Sequence, residues 1–208
     1  MKTKGILLTI GLTVLSLTAF SQKTSQTDLP NEFYAGYGAG SLFYFTGLSN
    51  QSHHHMYSYG SDTYLRSAGT FLLGYTRNLN RVVSMGVIFS YMPANSDFTD
   101  YSYDKPGNGS NEITGSASDN ILGAITRITF SYVSKPAFRI YSGIAIGVTV
   151  DCGTVTYNGN TVSRRKLYPA GEITLFGVRF GRALGGFVEM GFGTNGIITA
   201  GISYKIND

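Results

Sequence analysis

The stretch from Arg139 to Asp151 constrains this chain more than any other part of it. One parity reads Ile140, Ser142, Ile144, Ile146, Val148 and Val150. The other reads Arg139, Tyr141, Gly143, Ala145, Gly147, Thr149 and Asp151. Alternation sustained over this length is an extended strand with two unlike faces, because successive side chains leave a strand on opposite sides. The second face is not the Lys/Glu surface of a sheet bathed in water. Its Gly, Ala and Thr suit a narrow, crowded interior. The aliphatic face must then look outward, and only hydrocarbon rewards that arrangement.

The same rhythm recurs along the chain. Strands are expected over about 33–45, 64–77, 82–92, 120–132, 139–151, 171–181, 187–193 and 196–206. In the third, Val83, Met85, Val87, Phe89 and Tyr91 oppose Ser84, Gly86, Ile88 and Ser90. In the last, Ile198, Ala200, Ile202, Tyr204 and Ile206 oppose Thr199, Gly201, Ser203 and Lys205. Short connections follow the second, fourth and sixth strands. Long polar ones follow the first, third and fifth, over about 46–63, 93–119 and 152–168. Hydrocarbon offers a backbone no hydrogen-bond partners, so strands that cross it must close into a ring. About 9–11 tilted residues suffice to cross. The expected fold is all-β: an eight-stranded antiparallel up-and-down transmembrane β-barrel, with both chain ends on the short-turn, periplasmic side.

The segment before the first strand reads differently. Met1 to Lys4 is a short basic start, Gly5 to Phe20 an uncharged apolar run, and Ala19-Phe20-Ser21 offers small residues for cleavage. That is the layout of a secretory signal peptide over 1–21. A polar linker is expected over 22–32 and the barrel over 33–208. The run of 16 residues is short for a membrane helix. Formal charge is only +4, from 16 Lys+Arg against 12 Asp+Glu, so no nucleic-acid partner is expected. Cys152 is the single cysteine and excludes an internal disulfide.

Eight strands leave an interior only wide enough for side chains. Gly36, Gly38, Gly40, Gly74, Gly86, Gly123, Gly143, Gly147, Gly177, Gly191 and Gly201 all fall on inward parities. So do four charged residues, Arg127, Arg139, Arg179 and Glu189, which form a candidate polar network in the lumen. A turn centred near Leu184 would set Arg179 directly across from Glu189, a favourable cross-strand pair. Arg127 and Arg139 would face each other about Val133. Two like charges there require carboxylates or water, and spacing alone assigns neither.

Together, the alternation, the leader and the last strand resemble the small outer-membrane barrels of the OmpA/OmpX type, more closely their Bacteroidetes-like relatives, over about 32–206. Assembly signals in that family read polar-x-Gly-x-x-aromatic-x-hydrophobic, and Thr199, Gly201, Tyr204 and Ile206 match. Two departures are Ile206 where a Phe is usual and the Asn207-Asp208 that follows it. Leu175 to Gly181 and Glu189 to Gly193 look like the last hairpins of such barrels. The resemblance implies outer-membrane lipid and the barrel-assembly machinery as partners. It implies no shared activity.

The function expected on these grounds is structural or surface-interacting: a plugged polar lumen carrying extracellular loops that meet a ligand. An alternative is a narrow anion-favouring channel through Arg127, Arg139 and Arg179. A further alternative is an outer-leaflet lipid-modifying enzyme using His53, His54 or His55 with Ser52 or Ser58. A soluble lipocalin-like barrel would instead bury Ile144, Ile146 and Val148. No enzyme is expected. Three consecutive His in a polar loop do not by themselves make a closed metal site, Asp97 and Asp100 sit in a polar loop, and no Gly-rich turn leads into a helix. No cofactor or metal is therefore expected. The loop tyrosines, such as Tyr57, Tyr59, Tyr101 and Tyr103, suit either a partner surface or an interfacial girdle.

Overall fold

The computed structural model describes residues 31–41, 61–67, 69–102, 111–157 and 160–206. Nine strands follow in order: β1 (Asn31–Ala39), β2 (Ser61–Ser67), β3 (Thr70–Asn78), β4 (Val83–Ser102), β5 (Asn111–Lys135), β6 (Phe138–Tyr157), β7 (Asn160–Gly181), β8 (Leu184–Gly193) and β9 (Ile198–Ile206). All pairings are antiparallel, and they close a ring: β1 pairs β3 and β9, and β4 pairs β3 and β5. β2 and β3 both pair β4 and act as two parts of one stave. They part at Gly69, whose φ of +84° suits glycine and whose missing Cβ leaves room for the Tyr37 hydroxyl. Nine segments therefore make eight staves.

The faces lie as the alternation requires. Leu73, Ile146 and Ile202 stand 64%, 74% and 63% exposed on the outside, while Ser84, Thr149 and Ser203 are buried inside. Gly143 is buried, and Ile144 and Val148 are exposed, which rules out the lipocalin-like arrangement. An exterior of this kind is stable against hydrocarbon and not against water.

Stave height divides the barrel. At about 3.3 Å per residue and a tilt near 40°, nine residues climb about 23 Å, close to the apolar band of about 25 Å. β1, β3, β8 and β9 have nine or ten residues and fit it; β4 to β7 have 20–25. The extra length rises beyond the bilayer. The expected loops over 93–119 and 152–168 are thereby corrected. β4 runs on to Ser102 and β5 begins at Asn111, and β6 and β7 zip as far as Tyr157↔Asn160. Their polar composition reads as loop because alternation disappears. Above the membrane a strand needs no apolar face, only backbone partners.

Two further differences matter for the interior. β1 begins at Asn31, so Glu32, expected in the linker, lies fully buried inside the barrel. β7 carries a bulge between Thr174 and Phe176, where its pairings with both β6 and β8 shift. The extra residue reverses inward parity: Glu172 and Thr174 face in below it in sequence, Gly177 and Arg179 above it, and Leu175 and Phe176 are both exposed. A second shift lies between Ser131 and Val133 on β5. The leader over 1–21, linker residues 22–30 and the first strand's expected extension over 42–45 lie outside the described residues.

Candidate functional site: the charged lumen

Three inward aromatic rings organise the interior. Tyr34 is in register with Gly74, Tyr141 with Gly177 and Phe187 with Gly201. Each ring covers its glycine. A Cβ on Gly74 would lie 2.1 Å from the Tyr34 ring, one on Gly177 2.6 Å from Tyr141, and one on Gly201 2.7 Å from Phe187. The inward glycines thus do more than narrow the barrel: they let rings lie flat on the neighbouring stave, a pairing that stabilises glycine in sheets. Tyr34 and Phe187 meet edge to face at 5.5 Å. The Arg179 guanidinium lies among all three, 4.6 Å from the centroid of Tyr34, 5.0 Å from Phe187 and 5.4 Å from Tyr141. Ring faces are negative, so they stabilise this cation.

Around this cage three arginines meet three glutamates. Arg127 on β5 grips Glu189 of β8 with both terminal nitrogens, at 2.9 and 2.7 Å, and also pairs with Glu172 of β7. It donates a further bond to Thr174 Oγ1 at 3.2 Å. Arg179 pairs with Glu32 Oε2 at 2.7 Å and donates from Nε to the Tyr141 hydroxyl at 3.0 Å. Tyr141 in turn donates to Glu189. Arg139 reaches Glu32 Oε2 at 2.9 Å and Asn78 Oδ1 at 2.7 Å. Charges this deeply buried are tolerable only when paired and hydrogen-bonded. The bidentate Arg127–Glu189 fork is the strongest geometry available for such a pair.

All four residues of the expected network point inward, and Arg179 lies within ion-pair range of Glu189, but neither expected cross-strand alignment holds. Arg179 is in register with Phe187, not Glu189, because the turn centres one residue earlier; its Nη2 to Glu189 distance is 3.8 Å. Arg127 is in register with Ala145, not Arg139, because the turn lies at Pro136 and Ala137 rather than about Val133; the β5 bulge adds only one further residue of shift. Arg139 instead faces Arg179, and Glu32 Oε2 lies between them, paired with both. The missing carboxylates are Glu32 and Glu172. The first was hidden by a strand start two residues early, the second by the β7 bulge. Tyr141 already stood on the inward parity of the opening strand.

A second charged group sits higher. Arg164 on β7 bridges Asp119 on β5 and Asp151 on β6, at 3.1 and 3.2 Å. Both aspartates are buried. Gly153, in register with Asp119 and Arg164, makes room: a Cβ there would lie 2.1 Å from Asp119 Oδ1. At this level Cys152 is paired with an exposed Arg165 and Asp151 with an exposed Lys166, so the hydrocarbon ends below it. Burial, and then the Asp119 charge, push the Asp151 carboxyl up to about 6 against the pull of Arg164 and Lys166.

Between the two clusters the β8–β9 turn folds inward. Thr194, Asn195 and Gly196 are buried, with the Thr194 carbonyl accepting from Ser41 Oγ at 2.7 Å and its N–H bonded to Gly171. The residues of the expected assembly signal divide by face. Thr199 is buried inside and Gly201 lies on the same inward face, while Tyr204 and Ile206 face outward near the end of β9. Residues 50–60, with His53 to His55, lie outside the described residues.

No family model and no curated protein matches this chain. Among solved structures, the chain is similar to the crystal structure of Ail, the attachment invasion locus protein of Yersinia pestis, at 13% identity and a TM-score of 0.40. The match covers 86% of this chain and 99% of that one.

Proposed function

We propose that this chain is an integral outer-membrane barrel, that its lumen is closed, and that it acts at the cell surface through the sheet raised above the bilayer. The observation that carries the surface role is the edge of β7. Among the described residues, β7 from Asn160 to Ala170 pairs with β6 alone, and β8 joins it only from Glu172 on. An unpaired strand edge is a template for an added strand. This edge carries exposed Arg165 and Lys166 in succession, so an acidic extended polypeptide fits it best.

The closed lumen is supported by the matched charges: each arginine that would have attracted an anion already holds a carboxylate. The inward turn at Thr194–Gly196 adds material above them. Assembly through Thr199, Gly201, Tyr204 and Ile206 by the barrel-assembly machinery belongs to the same reading, since β9 is the strand that closes the ring on β1.

Proteoliposomes carrying the barrel are expected to bind a panel of immobilised acidic peptides. Binding should be lost when 151–166 is replaced by a two-residue turn between the register partners Val150 and Leu167, while unheated-gel mobility still reports a closed barrel. Equal binding by the shortened chain refutes the edge as the docking element. In planar bilayers the intact chain is expected to give no single-channel steps, and anion-selective steps would refute the closed lumen.

A further inference from the structure

A groove of about 430 Å³ lies on the outer wall across β4, β3, β1, β9 and the start of β8. Register explains it. Phe89, Leu73, Ala35 and Ile202 form one outward row around the barrel. Three of the four stand 60–64% exposed, and the fourth, Ala35, is a single methyl. The wall therefore dips at Ala35. Aromatic pairs bound the dip on both sides along the staves. Phe33 and Tyr75 pack at 4.9 Å on the periplasmic side, and Tyr37, Phe71 and Tyr91 form a ladder at 5.5 and 6.5 Å on the other. The lining is almost wholly apolar, with Ser203 and the tyrosines Tyr34, Tyr75 and Tyr204 its only residues bearing a polar side-chain atom.

What covers such a dip is decided by shape and charge. A second barrel is convex and would rest on the rims, leaving the floor untouched. A single flexible acyl chain reaches it. The groove is continuous with the lipid-facing belt and lies in its periplasmic half, since Phe33 is near the start of β1 and Leu184 opens β8. Arg77 shares the outward parity of Leu73 and Tyr75, one row below the groove, and is exposed; Arg182 is exposed in the adjoining turn. A guanidinium at that level suits phosphate.

We infer that this groove is a binding site for one acyl chain of a periplasmic-leaflet glycerophospholipid whose phosphate is held at Arg77. This rests on the outer-membrane reading with both chain ends in the periplasm. The lipid would lie across the β1–β9 closure, so it covers the seam where the first and last strands meet.

The test uses the full-length barrel, stripped of lipid in detergent and titrated with phosphatidylglycerol, with bound lipid counted by native mass spectrometry. Wild type is expected to take up one phospholipid before any other. Ala35→Phe, which fills the floor, should weaken that first event at least tenfold, and Ala35→Leu by less. Ile146→Phe, on the lipid face of β6, should leave it unchanged. Arg77→Gln should weaken phosphatidylglycerol several-fold but not phosphate-free diacylglycerol. Ala35→Phe binding like wild type overturns the site, as does a groove filled by a second copy, seen as a stable dimer that excludes lipid. A wild-type chain with no heat-modifiable compact form overturns the barrel reading itself, an outcome distinct from a compact barrel that ignores lipid.

Discussion

Replacing Arg127 by Leu removes the cation that two buried carboxylates share. Glu189 would lose a bidentate partner with bonds of 2.9 and 2.7 Å, and Glu172 its one ion-pair partner among the described residues. Both carboxylates are buried. Glu189 would keep the Tyr141 hydroxyl and an Arg179 nitrogen at 3.8 Å. Removing one partner of a buried ion pair costs about 3–5 kcal/mol, chiefly because the other charge is stranded. Every 1.4 kcal/mol is tenfold, so the unfolding constant should rise by roughly two to three and a half orders of magnitude. The assay is urea unfolding of the refolded barrel in vesicles, read by the shift between compact and expanded forms on unheated gels. The double change Arg127→Leu with Glu189→Leu separates charge from packing. Having no stranded Glu189, it should be less destabilised than the two single changes added together, by about 0.5–3 kcal/mol. An Arg127→Leu barrel within about 1 kcal/mol of wild type would refute the reasoning. So would additive behaviour in the double variant, since either outcome means that water already screens the lumen.

Gly177→Val should destabilise the barrel by about 1–3 kcal/mol in the same assay, because its branched side chain must displace the Tyr141 ring and with it the hydroxyl between Glu189 and Arg179. Gly153→Ala should leave barrel unfolding nearly unchanged while loosening the upper hairpin, seen as faster amide exchange around Asp119 and Arg164, which its Cβ would push apart. The upper hairpin should also respond to pH. Asp151 has a folded pKa of about 6 against an ordinary 3.8, so the folded state binds the proton more tightly and this contribution to stability falls as pH rises through that window. Amide exchange in residues 151–166, corrected for its intrinsic rate, should be slower at pH 5 than at pH 7.5, and Asp151→Asn should abolish the difference; a larger difference in the variant would contradict the assignment.

The wall of this protein was legible wherever lipid imposes a pattern. Ile144, Ile146 and Val148 alternate with Gly143, Ala145 and Gly147 because one side meets acyl chains and the other meets a crowded lumen. Where the staves leave the bilayer that pressure ends. The stretches over 93–102, 111–119, 152–157 and 160–168 carry no clear apolar alternation and read as loops, although their backbones pair as regularly as the rest. The interior network was half legible for a different reason. Parity places Arg127, Arg139, Arg179 and Glu189 inside, but partners depend on register, and register depends on bulges that no hydrophobic pattern reveals.

The β7 bulge shows why that dependence is built in. Without the extra residue near Leu175, either Glu172 or Arg179 would point into lipid, because they lie seven residues apart and odd spacing puts them on opposite faces. With it, both face inward, and Leu175 and Phe176 turn out together onto the apolar exterior. One inserted residue thus brings a carboxylate to Arg127 and a cation to Glu32 on the same stave, completing three acids against three arginines. Deleting Leu175 would restore plain alternation and turn a charge into the apolar exterior, since the buried Arg127–Glu172 pair and the caged Arg179 cannot both survive a one-residue slip.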